Sequence, residues 1–120
     1  MANPAIDTVD AGAAIDRGHL SRMTFGDRSL EREVLQLFER QSALLIGRMR
    51  GGEAAAVAAL AHTLKGSAAG IGAGPVARAA EDVERAAGTA MPDCGQAIDR
   101  LALAIEDART LIGEMLRQQG

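Results

Sequence analysis

Val57-Ala58-Ala59-Leu60-Ala61-His62-Thr63-Leu64-Lys65-Gly66-Ser67 reads as a helix with two unlike sides. At about 100° of rotation per residue, Val57, Leu60, Leu64 and then Ile71 gather into one stripe wide enough to face a core. Alanine fills most of Ala54 to Ala61, so these larger residues decide the orientation. His62 then falls nearly opposite the stripe, in company with Ala55, Ala58, Ala59, Lys65, Gly66 and Ala69. The imidazole stands on a low surface with one cation a turn away, a face suited to close docking by another molecule. Glycine inside a helix costs about 1 kcal/mol relative to alanine, so Gly66 in the middle of this pattern points to a need for space.

Working outward, the pattern predicts helices on both sides. A short helix is expected from Asp16 to Thr24, with Asp16 as its cap and Leu20 and Met23 covering one end of the core. A longer one is expected from Arg28 to Arg50, its apolar positions being Leu30, Val34, Leu37, Phe38, Leu44, Leu45 and Met49, ended by Gly51-Gly52. The central helix runs from Glu53 to Ile71, and Gly72-Ala73-Gly74-Pro75 stops it and starts the next. There Val76, Ala80, Val83 and Ala87 form the buried stripe, Arg78, Glu81, Asp82, Glu84 and Arg85 read as a solvated face with local ion pairs, and Gly88 ends the helix. The last helix begins near Pro92-Asp93 and carries Cys94, Ile98, Leu101, Ile105, Ala108, Ile112 and Met115 in alternating steps of four and three. Four long amphipathic segments and short turns predict an all-α, antiparallel four-helix bundle with a short additional N-terminal helix. Residues 1–14 are unpatterned and read as a tail, ordered only where Ile6 or Val9 finds a groove; 15–120 read as one domain.

Composition narrows the function. Hydrophobic residues make up 48% of the chain, which argues against disorder, and two Phe with no Trp or Tyr leave the core to aliphatic residues. A net charge of −3 provides no basic field for nucleic acid or anionic lipid. No apolar run approaches the roughly 20 residues needed to span a bilayer, and Met1-Ala2-Asn3-Pro4 does not open like a signal peptide, so a cytoplasmic monomer with protein partners is expected. Cys94 is the only cysteine, which excludes an internal disulfide; with His19 and His62 it shares no ligand spacing, and no metal site is expected. No phosphate-binding glycine loop is present, so no ATP-dependent kinase activity is expected.

The stretch His62-Thr63-Leu64-Lys65-Gly66-Ser67 resembles the phosphoacceptor signature of histidine-containing phosphotransfer domains, the carriers of bacterial multistep phosphorelays. Ala68-Ala69-Gly70-Ile71-Gly72-Ala73 is similar to the family's exit from that helix, and weaker likeness extends from Ile15 through the last helix, including Phe25-Gly26-Asp27 and Leu37-Phe38. The resemblance implies that His62 accepts a phosphoryl group from the aspartate of a response-regulator receiver domain and passes it to another. The receivers would belong to a hybrid histidine kinase and a downstream regulator. Imidazole titrates near neutrality, so one ring nitrogen of an exposed histidine attacks without a dedicated base. Lys65 would stabilise the phosphoryl oxygens, Gly66 would leave clearance for the receiver, and Ser67, at the core boundary, would supply a secondary polar contact or bond back to the carbonyl four residues earlier. Ala55, Ala58, Ala59 and Ala69 would form the docking surface. No carboxylate shares the helical face of His62, so the required Mg²⁺ would arrive in the receiver's acidic pocket. Two other readings stand beside this one: a non-catalytic adaptor or inhibitor of the same fold that binds a receiver or histidine kinase, and a helical interaction protein unrelated to phosphate.

Overall fold

The computed structural model describes residues 13–89 and 94–119, and among them every regular element is an α-helix. They are α1 (Arg17–Met23), α2 (Arg28–Met49), α3 (Ala54–Gly70), α4 (Gly74–Gly88) and α5 (Cys94–Gln119). The expected boundaries hold to within a residue or two. Ile6, Val9 and the Pro92-Asp93 start of the last helix lie outside the described residues.

Local chemistry explains where the helices begin and end. The side chain of Asp16 accepts from the His19 amide at 3.0 Å, and that of Asp27 accepts from the Leu30 amide at 3.0 Å, each satisfying a donor that the first turn leaves without a partner. Helix α3 starts without a side-chain cap and draws on alanine, the strongest helix former. Its end is tightly built: Ala73 N–H donates to the Ala68 carbonyl at 2.8 Å and Gly72 N–H to that of Ala69 at 3.2 Å. This pairing needs a left-handed residue at Gly72, whose φ is +81°. A Cβ there would also lie 2.9 Å from the Asp16 carbonyl oxygen, so glycine admits the close approach of the α1 start. Asp16 N–H donates to the Gly72 carbonyl at 2.8 Å, and His19 Nε2 donates to the Gly70 carbonyl at 3.1 Å, which fastens α1 over the end of α3.

Helix α3 packs on α2 and α4, and α5 packs on α4 and α2. The shared core contains Val57, Ala61, Leu64 and Ala68 from α3; Val76, Ala80, Val83 and Ala87 from α4; and Ala97, Ile98, Leu101, Ile105, Ala108, Ile112 and Met115 from α5. The stripes expected on α4 and α5 are therefore the buried ones, with Ala97 added and Cys94 half-buried at the edge.

Two helices depart from expectation. On α2, Leu37 and Leu44 are 58% and 54% exposed, and the seam is Leu35, Phe38, Ser42, Leu45 and Met49, while Val34 packs at its margin. Leucines occur on two sides of this helix, and the regular three-and-four steps pass through Ser42 rather than through every large aliphatic residue. Ser42 is tolerated there because its hydroxyl donates to the Glu39 carbonyl at 3.2 Å. On α3, Leu60 is half-buried, and the fully buried positions between the larger residues are Ala61 and Ala68. Met23, expected to cover the core, is exposed; Leu20, Ile15 and Thr24 close that end.

Candidate functional site

The site is built on the outward side of α3 and the adjoining flank of α4. Burying Val57, Ala61, Leu64 and Ala68 turns His62 outward, and its side chain is 68% exposed. Lys65 follows one turn later, its side chain only 31% exposed because its stem lies toward α4. Gly66 is exposed, and a Cβ on it would meet nothing within 4 Å. Packing among the described residues therefore gives no reason for a glycine at that position.

Ala55, Ala59 and Ala69 are exposed around the histidine as expected. Ala58 differs from them in being half-buried and packed against the core. Thr63 is exposed. Ser67 sits at the core boundary, and among the described residues its hydroxyl makes no bond back to the preceding turn.

The residue that sequence reasoning misplaced is Glu84. Read as part of the solvated face of α4, it instead reaches across to α3 and engages both ionisable groups there. One carboxylate oxygen, Oε2, accepts from His62 Nδ1 at 3.0 Å, and the other, Oε1, accepts from Lys65 Nζ at 3.1 Å. With its own side chain 30% exposed, Glu84 sits against α3 rather than in open solvent. The signal was available only in part: Val83 and Ala87 fix the inward side of α4, but which neighbouring helix its flank meets depends on packing. The expected local pairs do form farther out, where Arg85 contacts Asp82 and lies 4.0 Å from Glu81.

Electrostatics follow from this geometry. The Lys65 ammonium holds the Glu84 carboxyl below the ordinary carboxylate value; burial opposes this, and the His62 hydrogen bond adds a smaller lowering. Glu84 is thus an anion at neutral pH and acts only as an acceptor. His62 Nδ1 must therefore carry the hydrogen, which leaves the lone pair of a neutral imidazole on Nε2. That nitrogen has no partner among the described residues. The arrangement presents one oriented nucleophile with a cation a turn away.

Other chemistry-bearing residues stay apart. His19 belongs to the α1–α3 junction through Gly70, and Cys94 begins α5. Among the described residues no helix is long and apolar enough to cross a membrane. A protein-family model described as the Hpt domain matches residues 30–111, well over half of the chain and including every residue of this site. No curated protein and no solved structure matches the chain.

Proposed function

We propose that this chain, which belongs to the Hpt domain family, is a phosphorelay intermediate whose phosphoacceptor is His62. Hpt domains are phosphotransfer carriers rather than kinases. The observation that carries the residue assignment is the exposed imidazole with Nδ1 held by Glu84 and Nε2 open. The lone pair of Nε2 attacks the phosphorus of a receiver's phosphoaspartate, an N–P bond forms, the P–O bond breaks, and the electron pair leaves with the aspartate carboxylate. The return step reverses these changes onto a second receiver's aspartate. No general base is needed, because no proton leaves the ring during the attack.

Lys65 stabilises the charge on the transferring phosphoryl oxygens. Gly66 provides clearance: the bundle leaves its Cβ position empty, so the space serves an incoming partner. Ala55, Ala59 and Ala69, with Ala58 at the margin, form a docking surface of small side chains, and Ser67 adds a secondary polar contact. Mg²⁺ comes with the receiver's acidic pocket. A relay carrier must release one partner to meet the next, and micromolar affinity, about −8 kcal/mol, suits that role.

The four long helices are read as an antiparallel four-helix bundle capped by α1, consistent with the packing of α2 on α3 and α5 and of α4 on the same two. Residues 15–120 are taken as the domain and 1–14 as its tail, and the protein as a cytoplasmic monomer. The receivers are those of a hybrid histidine kinase and a downstream regulator. The test mixes the protein with a phosphorylated receiver domain and Mg²⁺, without ATP, and follows acid-labile phosphate. Transfer to wild type and none to His62→Gln supports the reading; a folded wild type that takes nothing from a broad panel of receivers favours the adaptor instead.

A further inference from the structure

The starts of α1 and α4 and the end of α3 leave an open cavity of about 320 Å³ between them. Its walls are mostly small: Ala69 on α3, Gly72 after it, Gly74 and Ala77 on α4, and Ala13, the first described residue. Asp16 and His19 also border it, but both are committed elsewhere: Asp16 accepts from the His19 amide, and His19 Nε2 donates to the Gly70 carbonyl. Arg78 is not committed. On α4, Arg85 engages Glu81 and Asp82, while Glu84 engages His62 and Lys65. That leaves Arg78 as the one charged side chain of the helix without a partner among the described residues. Its guanidinium folds back over the first turn of α4, where a Cβ on Gly74 would stand 3.2 Å from Nη1, and so lines the cavity.

We propose that this cavity receives the chain's own residues 6–10, with Val9 seated among the alanines and glycines and the Asp10 carboxylate on Arg78. Composition, reach and tethering choose this occupant. Besides Met1, the large apolar side chains among the twelve residues before Ala13 are Ile6 and Val9, and the charged ones are Asp7 and Asp10. The segment thus offers apolar groups to the small walls and carboxylates to the unpaired arginine. Val9 stands four residues before Ala13 and Ile6 seven. Four residues span at most about 14 Å when extended, and seven about 25 Å, so both side chains reach back over a cavity whose rim Ala13 itself forms. A tether this short holds the segment at an effective concentration on the order of mM. Tethering, rather than a large interface, therefore supplies the advantage over a separate molecule. Ala69 is shared with the low surface around His62, about two turns away along α3, and the seated segment borders that surface on its α4 side.

The test labels the alanine, isoleucine and valine methyls of the full chain with ¹³C and follows the contacts of Val9 by NMR. The Val9 methyls are expected to show NOEs to the Ala69 and Ala77 methyls, and the amides of 8–11 to exchange with solvent about tenfold more slowly than in Val9→Ser. Arg78→Asp should abolish the NOEs and the slow exchange. Adding Asp10→Arg to Arg78→Asp should restore both, a rescue that damage to α4 could not produce. Wild type without these NOEs, or Arg78→Asp that keeps them, would overturn the proposal. So would NOEs found only between differently labelled copies in a mixed sample, which assign the cavity to a second copy. Ala69 and Ala77 methyls that move only when a receiver domain is added would likewise overturn it and assign the cavity to a partner. None of these readouts involves phosphate, so the proposal stands or falls apart from the relay reading.

Discussion

Helices α5 and α3 divide the work of this molecule unequally. On α5 Ile98, Leu101, Ile105, Ile112 and Met115 point inward, while Leu103 is exposed and Asp99 and Arg109 pair with Arg50 and Glu39 of the α2 side. On α3 the inner side is half alanine, with Ala61 and Ala68 at full burial beside Val57 and Leu64, and the outer side carries His62, Lys65 and Gly66. Small residues inward let α3 lie close to α4, and that closeness brings Glu84 within reach of both His62 and Lys65. Packing on α5 builds the core, whereas packing on α3 also sets the site's geometry.

Substitutions that separate the two roles sharpen the contrast. The largest effect is expected inside α5, where Leu101→Ala removes a fully buried side chain and should cost about 2–5 kcal/mol of unfolding free energy by denaturant titration. The remaining folded protein should still accept phosphate at the wild-type rate. Gly66→Arg should do the opposite, lowering transfer from a receiver by about 100-fold, or about 2.7 kcal/mol, while its denaturation midpoint stays near wild type. An unfolded variant, or one with undiminished transfer, would remove the clearance argument. Lys65→Ala should slow transfer by about tenfold, about 1.4 kcal/mol of transition-state stabilisation, with His62 still modifiable; an unchanged rate would reduce Lys65 to a surface residue.

The smallest effect concerns Glu84 in the resting protein. Its carboxyl is held below the ordinary value first by Lys65 and then by His62. A carboxylate depressed in this way contributes its interaction above the unfolded value and loses it only as pH falls through the depressed one. The contacts of Glu84 with α3 should therefore persist across the range in which histidine titrates and disappear only in acid. A ¹³C titration of the side-chain carboxyl should place its midpoint below that of a free glutamate, and Lys65→Ala should raise it.

Much of this was legible in the residues. The heptad-like steps of α5 identify its buried face without help from neighbours, and the opposition of His62 to Val57 and Leu64 follows from rotation along one helix. Asp16 announced the start of α1 through cap chemistry that is local. What escaped depends on more than one helix. Leu37 and Leu44 look like core residues because they are large, yet the face of α2 that closes on its neighbours runs through Leu35 and Ser42. Glu84 looks like one of five charged residues on α4, and only the juxtaposition of α4 with α3 distinguishes it from Glu81.

The central claim is that α3 presents Nε2 of His62, and not Nδ1, to a phosphoryl donor. Heteronuclear NMR of the ¹⁵N-labelled protein after transfer from a phosphorylated receiver reads both the residue and the nitrogen that carry the phosphorus. Phosphorus on Nε2 of residue 62, with the hydrogen retained on Nδ1, is the result expected. Phosphorus on Nδ1 of His62, or on His19 instead, would contradict the account.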